Sequence, residues 1–385
     1  MKEKLKILEL CPFSAGICGV WQRVRQESIE LIKKGYSVKI FSSNLEKGTD
    51  KIVSSRDKLN NEIDIYRFPA IKLGGESFMS WFKKEAEKEA LEYMPDIIIA
   101  HNYRHLHTTK ALRVARKLKK MGRKCRVFLV SHAPFERNET RTLMQRIIVW
   151  LYDKFIGRAT INNFDKIIMI SKWELPYLKG LNVDESKIVY IPNGIPEEFF
   201  LQKKYKKEEN KILFLGRISP IKNLEVLIKA VSIKKDKSIA IEIVGPAEKE
   251  YLDKIKELVE KLNLKDRIVF SPPIYDLKDK IKKIDSAKIF VLPSKIEGMP
   301  QGLIEAMARG KIVIGSDCMA IKELIKENEN GYLFKSDDYL DLAEKIDFVL
   351  KNKIKNREIK RNAMNFVKQF RWNYLINELE RLIKS

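Results

Sequence analysis

The chain has 385 residues, 44% of them hydrophobic, with 75 basic and 52 acidic side chains and a formal net charge of +23. That length and apolar content exclude a globally disordered chain and fit two core-forming domains. No apolar run is long enough to span a bilayer, and the first one, Ile7 to Pro12, is too short and, with Glu9 inside it, too acidic for a signal peptide. The expected location is cytoplasmic, with peripheral attachment at the inner face of a membrane as an extension of it. Cys11, Cys18, Cys125 and Cys318 match neither a zinc ribbon nor a CxxC pair and read as free thiols of a reducing compartment.

The charge is unevenly placed. From His101 to Trp150 there are thirteen basic and two acidic residues, and from Arg104 to Arg126 ten basic residues and no acidic one. Such a stretch suits phosphates, including those of an anionic membrane surface, or it is a solvated helix face. Aromatic residues do not interleave with it and no recognition motif accompanies it, which argues against nucleic acid as a partner.

In chain order, Lys6 to Cys11 reads as a buried strand, followed by a glycine-containing loop from Ser14 to Gly19. A helix from Val20 to Lys34 is stopped by Gly35. Strands fit Ser37 to Ser42, Asp96 to Ala100, Arg126 to Ser131 and Lys166 to Ser171, and helices fit Phe78 to Tyr93, Thr108 to Met121 and Arg141 to Phe155. Gln202 to Lys211 is polar and reads as a linker, after which the pattern restarts. Strands then fit Lys211 to Gly216, Ile239 to Val244, Arg267 to Phe270, Ile289 to Leu292 and Ile312 to Gly315, with a helix from Leu224 to Val231. The alternation predicts an α/β fold of two doubly wound, Rossmann-like parallel-sheet domains. Glu358 to Ser385 reads as helical, with Phe366, Phe370, Trp372, Leu375, Leu379 and Leu382 available for packing.

Ligands bind such sheets outside the carboxyl ends of the strands, and three segments fall there. In Ser14 to Gly19, Gly16 and Gly19 let the backbone approach a phosphate at a helix start, or they form a plain turn. In Gly216 to Asn223, Arg217 and Lys222 are two cations five residues apart that can hold a diphosphate from two sides and neutralise it as a leaving group, or they are simply exposed. In Pro293 to Ala308, a tight loop through Gly298, Met299, Pro300 and Gly302 precedes a helix opening near Gln301 and Leu303, whose first N–H groups can bind an anion. Glu297 and Glu305 flank that site, placed either to hold sugar and ribose hydroxyls or to cap the helix.

Together these segments resemble the retaining nucleotide-sugar glycosyltransferases of the GT-B fold, specifically glycosyltransferase family 4. Glu297 and Glu305 match its E-x7-E motif, Gly216-Arg217 with Lys222 its G-R-x(4)-K segment, and Ile191-Pro192-Asn193-Gly194-Ile195 its I-P-N-G-V signature. The loop through Gly16 resembles its N-terminal glycine loop, and His132 stands where the family has a histidine near the reacting sugar. The resemblance implies two Rossmann-like domains facing across a cleft: 1–195 on the acceptor side, 196–357 on the donor side, and 358–385 returning as a helix to the first domain. It further implies Arg217 and Lys222 on the donor diphosphate; the expected donor is a UDP- or GDP-linked hexose, and the expected acceptor a glycan or, from the basic stretch Arg104 to Arg126, a lipid phosphate. Backbone near Gly16 and from Gly298 to Leu303 assists, Glu305 holds the ribose and Glu297 the sugar. His132 meets that sugar from the other domain, and His101 and Asn193 are acceptor-side candidates. Transfer with retention then requires no cofactor and no metal; His101, His105 and His107 have a zinc-like spacing but lack a fourth ligand nearby. Another GT-B activity, such as epimerase or hydrolase, and a non-catalytic carbohydrate- or nucleotide-binding protein are the alternatives.

Overall fold

A computed structural model describes residues 4–49, 51–71, 79–135, 141–201, 208–234 and 238–385. The chain divides into two units, Met1–Gly194 with Trp372–Ser385, and Ile195–Arg371. In the first unit the strands are β1 (Lys6–Phe13), β2 (Ser37–Ser43), β3 (Arg56–Leu59), β4 (Ile63–Phe68), β5 (Ile97–His101), β6 (Arg126–Val130), β7 (Lys166–Met169) and β8 (Ile188–Tyr190). They form one sheet in the order β3-β4-β2-β1-β5-β6-β7-β8. Every neighbouring pair is parallel except β3–β4. Ile7, Leu8, Leu10 and Ile98 to Ala100 are fully buried, as expected of central parallel strands covered on both faces.

The second unit holds β9 (Lys211–Leu215), β10 (Ala240–Val244), β11 (Ile268–Ser271), β12 (Ile289–Leu292), β13 (Ile312–Ser316) and β14 (Tyr332–Phe334), in the order β11-β10-β9-β12-β13-β14. All its pairs are parallel. In each unit the strand order reverses beside the first strand, at β1/β5 and at β9/β12, and the loops leaving these strands border a crevice. β9 and β12 pair only at Ile212↔Ile289 and Leu213↔Phe290, whereas β9 follows β10 to Leu215↔Val244. Among the described residues no helix is long and apolar enough to cross a membrane.

Two expectations change. The helix read as starting at Phe78 runs Lys84–Tyr93, and 72–78 lie outside the described residues, as do 202–207 of the linker. The C-terminal segment is not one returning piece. Helix Lys353–Phe366 and the turn Val367–Phe370 belong to the second unit, where Ile359, Ala363, Val367 and Phe370 are buried, and only helix Trp372–Lys384 belongs to the first. Arg371, in extended conformation, separates them. The last helix buries Trp372, Leu375, Ile376, Leu379, Leu382 and Ile383 along one stripe. Arg126 donates to the carbonyls of Leu382 and Ile383, where a cation meets the negative end of the helix dipole.

The Ile191–Ile195 signature serves this packing. Arg23 Nη1 donates to the carbonyls of Ile191 (3.0 Å) and Pro192 (3.3 Å) and to Asn193 Oδ1 (3.1 Å). A Cβ on Gly194 would lie 2.8 Å from the Trp372 ring. Gly194→Ala should therefore cost about 1–3 kcal/mol by overpacking, whereas Gly180→Ala, which opens onto free space, should cost nothing; urea unfolding of the two variants checks this.

Candidate functional site

In the second unit the loop after β9 is stitched to both neighbouring loops. Gly216 N donates to Val244 O (3.0 Å), Ile218 N to Pro246 O (2.8 Å), and Glu248 N back to Ile218 O (2.9 Å). A Cβ on Gly245 would collide with the Gly216 carbonyl oxygen, so the β10 loop approaches this closely only as glycine. Arg217 is left at the tip, its side chain 44% exposed and 4.0 Å from Glu248. On the other side Lys295 N donates to Ile221 O (2.9 Å).

Lys222 and Glu297 meet directly. Nζ lies 2.5 Å from Glu297 Oε1, which also accepts from Ser294 Oγ at 2.7 Å. Helix Gln301–Ala308 then opens with Pro300 before it and no side-chain cap, and Gly302 stands against the Leu215 carbonyl at the end of β9. This places an uncapped helix N-terminus where β9 and β12 part. Met299, Pro300 and Leu303 are buried beneath the loop, whereas Gly298 is only partly so. Glu305, 5% exposed, lies 2.6 Å from Lys280 Nζ. The two acids of the E-x7-E pattern thus carry separate lysines. Lys280 escaped the sequence reading because helix Leu277–Ser286 did; its signal was Asp276, whose side chain caps Asp279 N.

In the first unit, Gly16 follows β1 with φ +80°, and a Cβ there would lie 2.8 Å from Lys47 O, so its conformation and its contact both require glycine. His101 closes β5 and is fully buried. Its Nε2 lies 2.8 Å from Glu9 Oε2 and its Nδ1 2.9 Å from His132 Nε2. Arg23 and Glu27, both fully buried and paired at 2.9 Å, complete the cluster from helix Gly19–Lys33. Burial pushes the Glu9 carboxyl up to about 8 against the opposing pull of Arg23, and pushes His101 down to about 3. Burial, then the neighbouring His101, also holds His132 well below the usual imidazole range. A carboxyl–imidazole–imidazole chain has two proton arrangements in which both rings are neutral. With the Glu9 proton present, each ring can pass an N–H forward; without it, each can donate back toward Glu9. Ligand atoms of Glu9, Glu27 and His101 lie within 4.8 Å of one another, but Arg23 supplies the positive charge on this group, which reads as an ion-pair cluster. The zinc-like spacing resolves differently: the His107 ring donates to the His101 carbonyl (2.9 Å) and His105 pairs with Asn102 (3.2 Å). Asn193 is buried against Arg23.

His132 and Ala133 have φ of +57° and +49°, a left-handed pair that non-glycine residues adopt at a cost. Glu174 holds them there. Its buried carboxylate accepts from Ser131 Oγ (2.5 Å) and Ala133 N (3.0 Å) on either side of His132, and from Ile170 N (2.8 Å) and Ser171 N (3.0 Å). Sequence reasoning missed Glu174, although Ser171-x-x-Glu174 is a capping-box pattern and forms one.

Of the ten basic residues from Arg104 to Arg126, at least five have partners within the fold, and the reading of this stretch as a phosphate surface gains no support from them. Arg104 binds Asp153 (2.5 Å) and Pro134 O (3.0 Å), and Arg113 and Lys117 bind Glu87 (3.3 and 2.5 Å). Lys110 binds Phe82 O (2.6 Å), and Arg126 holds the last helix.

Glu9, raised to about 8, favours its protonated form in the fold, so its contribution is complete below about 4.5 and is lost as pH rises through 8. The stability of the wild type relative to Glu9→Gln should accordingly fall between pH 4.5 and 8 and level off above; paired thermal melts across this range test it.

Two family models match in succession, Glycosyltransferase Family 4 over residues 17–199 and Glycosyl transferases group 1 over residues 196–366. A Haemophilus influenzae protein described as an uncharacterized glycosyltransferase is 29% identical over 216 residues, 55% of this chain and 56% of that one. The chain therefore spans little more than half the length of that relative. A Campylobacter jejuni alpha-1,4-N-acetyl-D-galactosaminyltransferase, named for a GalNAc-containing PP-undecaprenol glycan, is 26% identical over 85% of this chain and 86% of its own. Among solved structures, Anabaena HepE in complex with UDP and glucose superposes with a TM-score of 0.76 at 17% identity, covering 99% of this chain and 100% of that one, which bears on the fold. With both halves matched in order and the strand topology in agreement, the chain belongs to the GT-B glycosyltransferases of group 1, family 4 type.

Proposed function

We propose that this protein transfers a hexose-like sugar from a nucleotide-diphosphate donor, with retention, to a lipid-linked glycan acceptor. The observation that carries the reading is the convergence of Arg217, the Lys222–Glu297 pair and an uncapped helix N-terminus at the β9/β12 switch point. Arg217 reaches the donor diphosphate and neutralises charge as it departs. Lys222 has three donors and commits one to Glu297, so it can add a phosphate oxygen without releasing its partner. Both bonds to Glu297 fall on Oε1, and Oε2 takes a hydroxyl of the sugar. Glu305, fixed by Lys280, takes the ribose diol. The family pattern gives His132 to the transferred sugar and requires no metal or cofactor, with a phosphate oxygen receiving the acceptor proton. The UDP named for the Anabaena structure favours a uridine donor, and the undecaprenol named for the Campylobacter relative favours a polyprenyl-diphosphate acceptor.

Arg217→Ala should lower kcat/KM for the donor by about 3 kcal/mol, on the order of a hundredfold, with little change in melting temperature, since the side chain is exposed. The measurement is transfer from UDP- and GDP-hexoses to a polyprenyl-diphosphate glycan, with the anomeric configuration of the product read by NMR. Free sugar or a rearranged nucleotide sugar without a coupled glycoside would point to a hydrolase or epimerase instead. Nucleotide binding without turnover in the wild type would point to a binding protein.

A further inference from the structure

Helix Leu143–Tyr152 has the sequence LMQRIIVWLY, and none of its residues is buried. Leu143 is 74% exposed, Met144 66% and Trp150 56%, with Ile147, Ile148 and Leu151 above 40%. The exposed series continues past the helix through Phe155 (66%) and Ile156 (48%). The sequence reading placed a helix here, from Arg141 to Phe155, and its apolar composition alone would suit a core helix. The last helix of the chain has a comparable apolar stripe and hides it. Leu143, Ile147, Trp150 and Leu151 fall on one helix face at spacings of three, four and seven or eight, with Met144 and Ile148 beside them. Contiguous apolar area of this kind on a protein surface marks an interaction site.

The patch is held in a fixed shape. Thr142 and Gln145 form a reciprocal capping box at its start, with bonds of 3.3 and 3.1 Å. At its end Asp153 is bound by Arg104, at 2.9 and 2.5 Å, and by the Tyr103 hydroxyl at 3.0 Å. Tyr103 and Arg104 belong to the loop that leaves β5 immediately after His101, so the patch is tied to the end of the sheet that carries the His101–His132 pair.

Among the described residues that flank it, the charge is one-signed apart from Asp153. Arg141, Arg146, Lys154 and Arg158 surround the apolar residues, and Asp153, the acid among them, is already neutralised by Arg104. Lys154 Nζ lies 4.7 Å from the centre of the Trp150 ring and 5.5 Å from that of Phe155. Exposed aromatics beside a lysine, on a wide apolar face flanked by cations, suit the boundary between acyl chains and anionic head groups. A second copy of the chain suits it less, because a two-fold contact would set this one-signed rim against itself.

We propose that helix Leu143–Tyr152 and the turn through Ile156 form the face by which this protein docks on an anionic lipid bilayer. The docking stands on the exposed face; its purpose, delivery of a membrane-held acceptor to the carboxyl end of the first sheet, rests on the lipid-linked acceptor proposed above. The Arg104 to Arg126 stretch is a separate segment from this surface, and ion pairs already engage its Arg104, Arg113 and Lys117.

The full chain is floated with vesicles of phosphatidylglycerol and phosphatidylcholine, and with vesicles of phosphatidylcholine alone. The expected result is recovery with the anionic vesicles, weakening with salt, and at least tenfold lower recovery for Leu143→Glu/Trp150→Glu at unchanged melting temperature. Lys119→Glu/Lys120→Glu, on the earlier basic stretch, should float nearly as the wild type does. Trp150 gives a second readout, since Trp21, Trp81, Trp173 and Trp372 are all buried. Brominated lipids should quench wild-type fluorescence and leave Trp150→Phe nearly unaffected. Failure of the wild type to float with anionic vesicles at low salt, or unchanged flotation of the double variant, would overturn the proposal. A wild-type dimer that the double variant converts to monomer, without vesicle binding by either, would assign the face to a second copy and overturn it as well. Transfer to a water-soluble acceptor separates the two readings: activity without docking fails the surface alone, and docking without transfer to any acceptor fails the function alone.

Discussion

A parallel strand can be followed in its own sheet only by a crossover. In both units the chain first steps outward from its opening strand, β1 to β2 to β4 or β9 to β10 to β11, and then restarts on the other side with β5 or β12. The two loops that leave the strands on either side of the restart are carried apart by helices on opposite faces. The crevice between them is a product of connectivity, present before any side chain is chosen. What this sequence adds is the identity of the residues at its lips. In the second unit these are Arg217, Lys222, Glu297 and the start of helix Gln301–Ala308; in the first they are Gly16 and His101.

The first unit places four charged groups or their partners at the same point from inside. Glu9 lies in the middle of the central strand, where a parallel sheet ordinarily holds an aliphatic residue, and it is fully buried. An isolated carboxylate there would be prohibitive, so the group shares its surroundings with Arg23, Glu27 and His101. Arg23 is the common member. It balances Glu27, reaches the carbonyls of Ile191 and Pro192, and lies 5.7 Å from the Trp372 ring. A segment recognisable as a family signature, Ile191 to Ile195, thereby has a structural explanation: it receives a buried guanidinium and leaves room at Gly194 for an indole.

Much of this architecture was legible because central parallel strands are short apolar runs punctuated by helix-stop glycines, and those features are local. What was not legible depends on partners distant in sequence. The β3–β4 hairpin turns through Asn60 and Asn61, both left-handed, a local turn signal whose first strand, Arg56–Leu59, is too polar to stand out by itself. Glu9 was noticed only as an acid that spoils a signal peptide, since its companions sit 14, 18 and 92 residues away. The roles of Lys222 and Glu297 were read separately because 75 residues separate them, although they form one ion pair. Helix Leu143–Tyr152 shows the opposite limit. Its apolar pattern was correctly read as helical, but periodicity states only that a face needs covering and leaves open whether protein or lipid covers it.

The pairing of each acid in the E-x7-E pattern with a lysine also bears on how that pattern works. On the proposed function, a carboxylate that holds hydroxyl groups must keep its orientation beside a diphosphate, whose charge would otherwise repel it. Lys222 does this for Glu297 and Lys280 for Glu305, each from a different element and at 2.5 and 2.6 Å. Both pairs are mostly shielded from solvent, so removing either lysine would strand a carboxylate rather than merely delete a positive charge. On the function proposed above, Lys222 would have two duties that cannot be separated by truncation, phosphate contact and fixation of Glu297, whereas Arg217, exposed and only loosely paired with Glu248, would have one. On that proposal the positive potential offered to a donor phosphate is divided between a cation already anchored in the fold and an exposed cation that can follow the leaving group, and only the second would respond fully to charge that appears during the reaction.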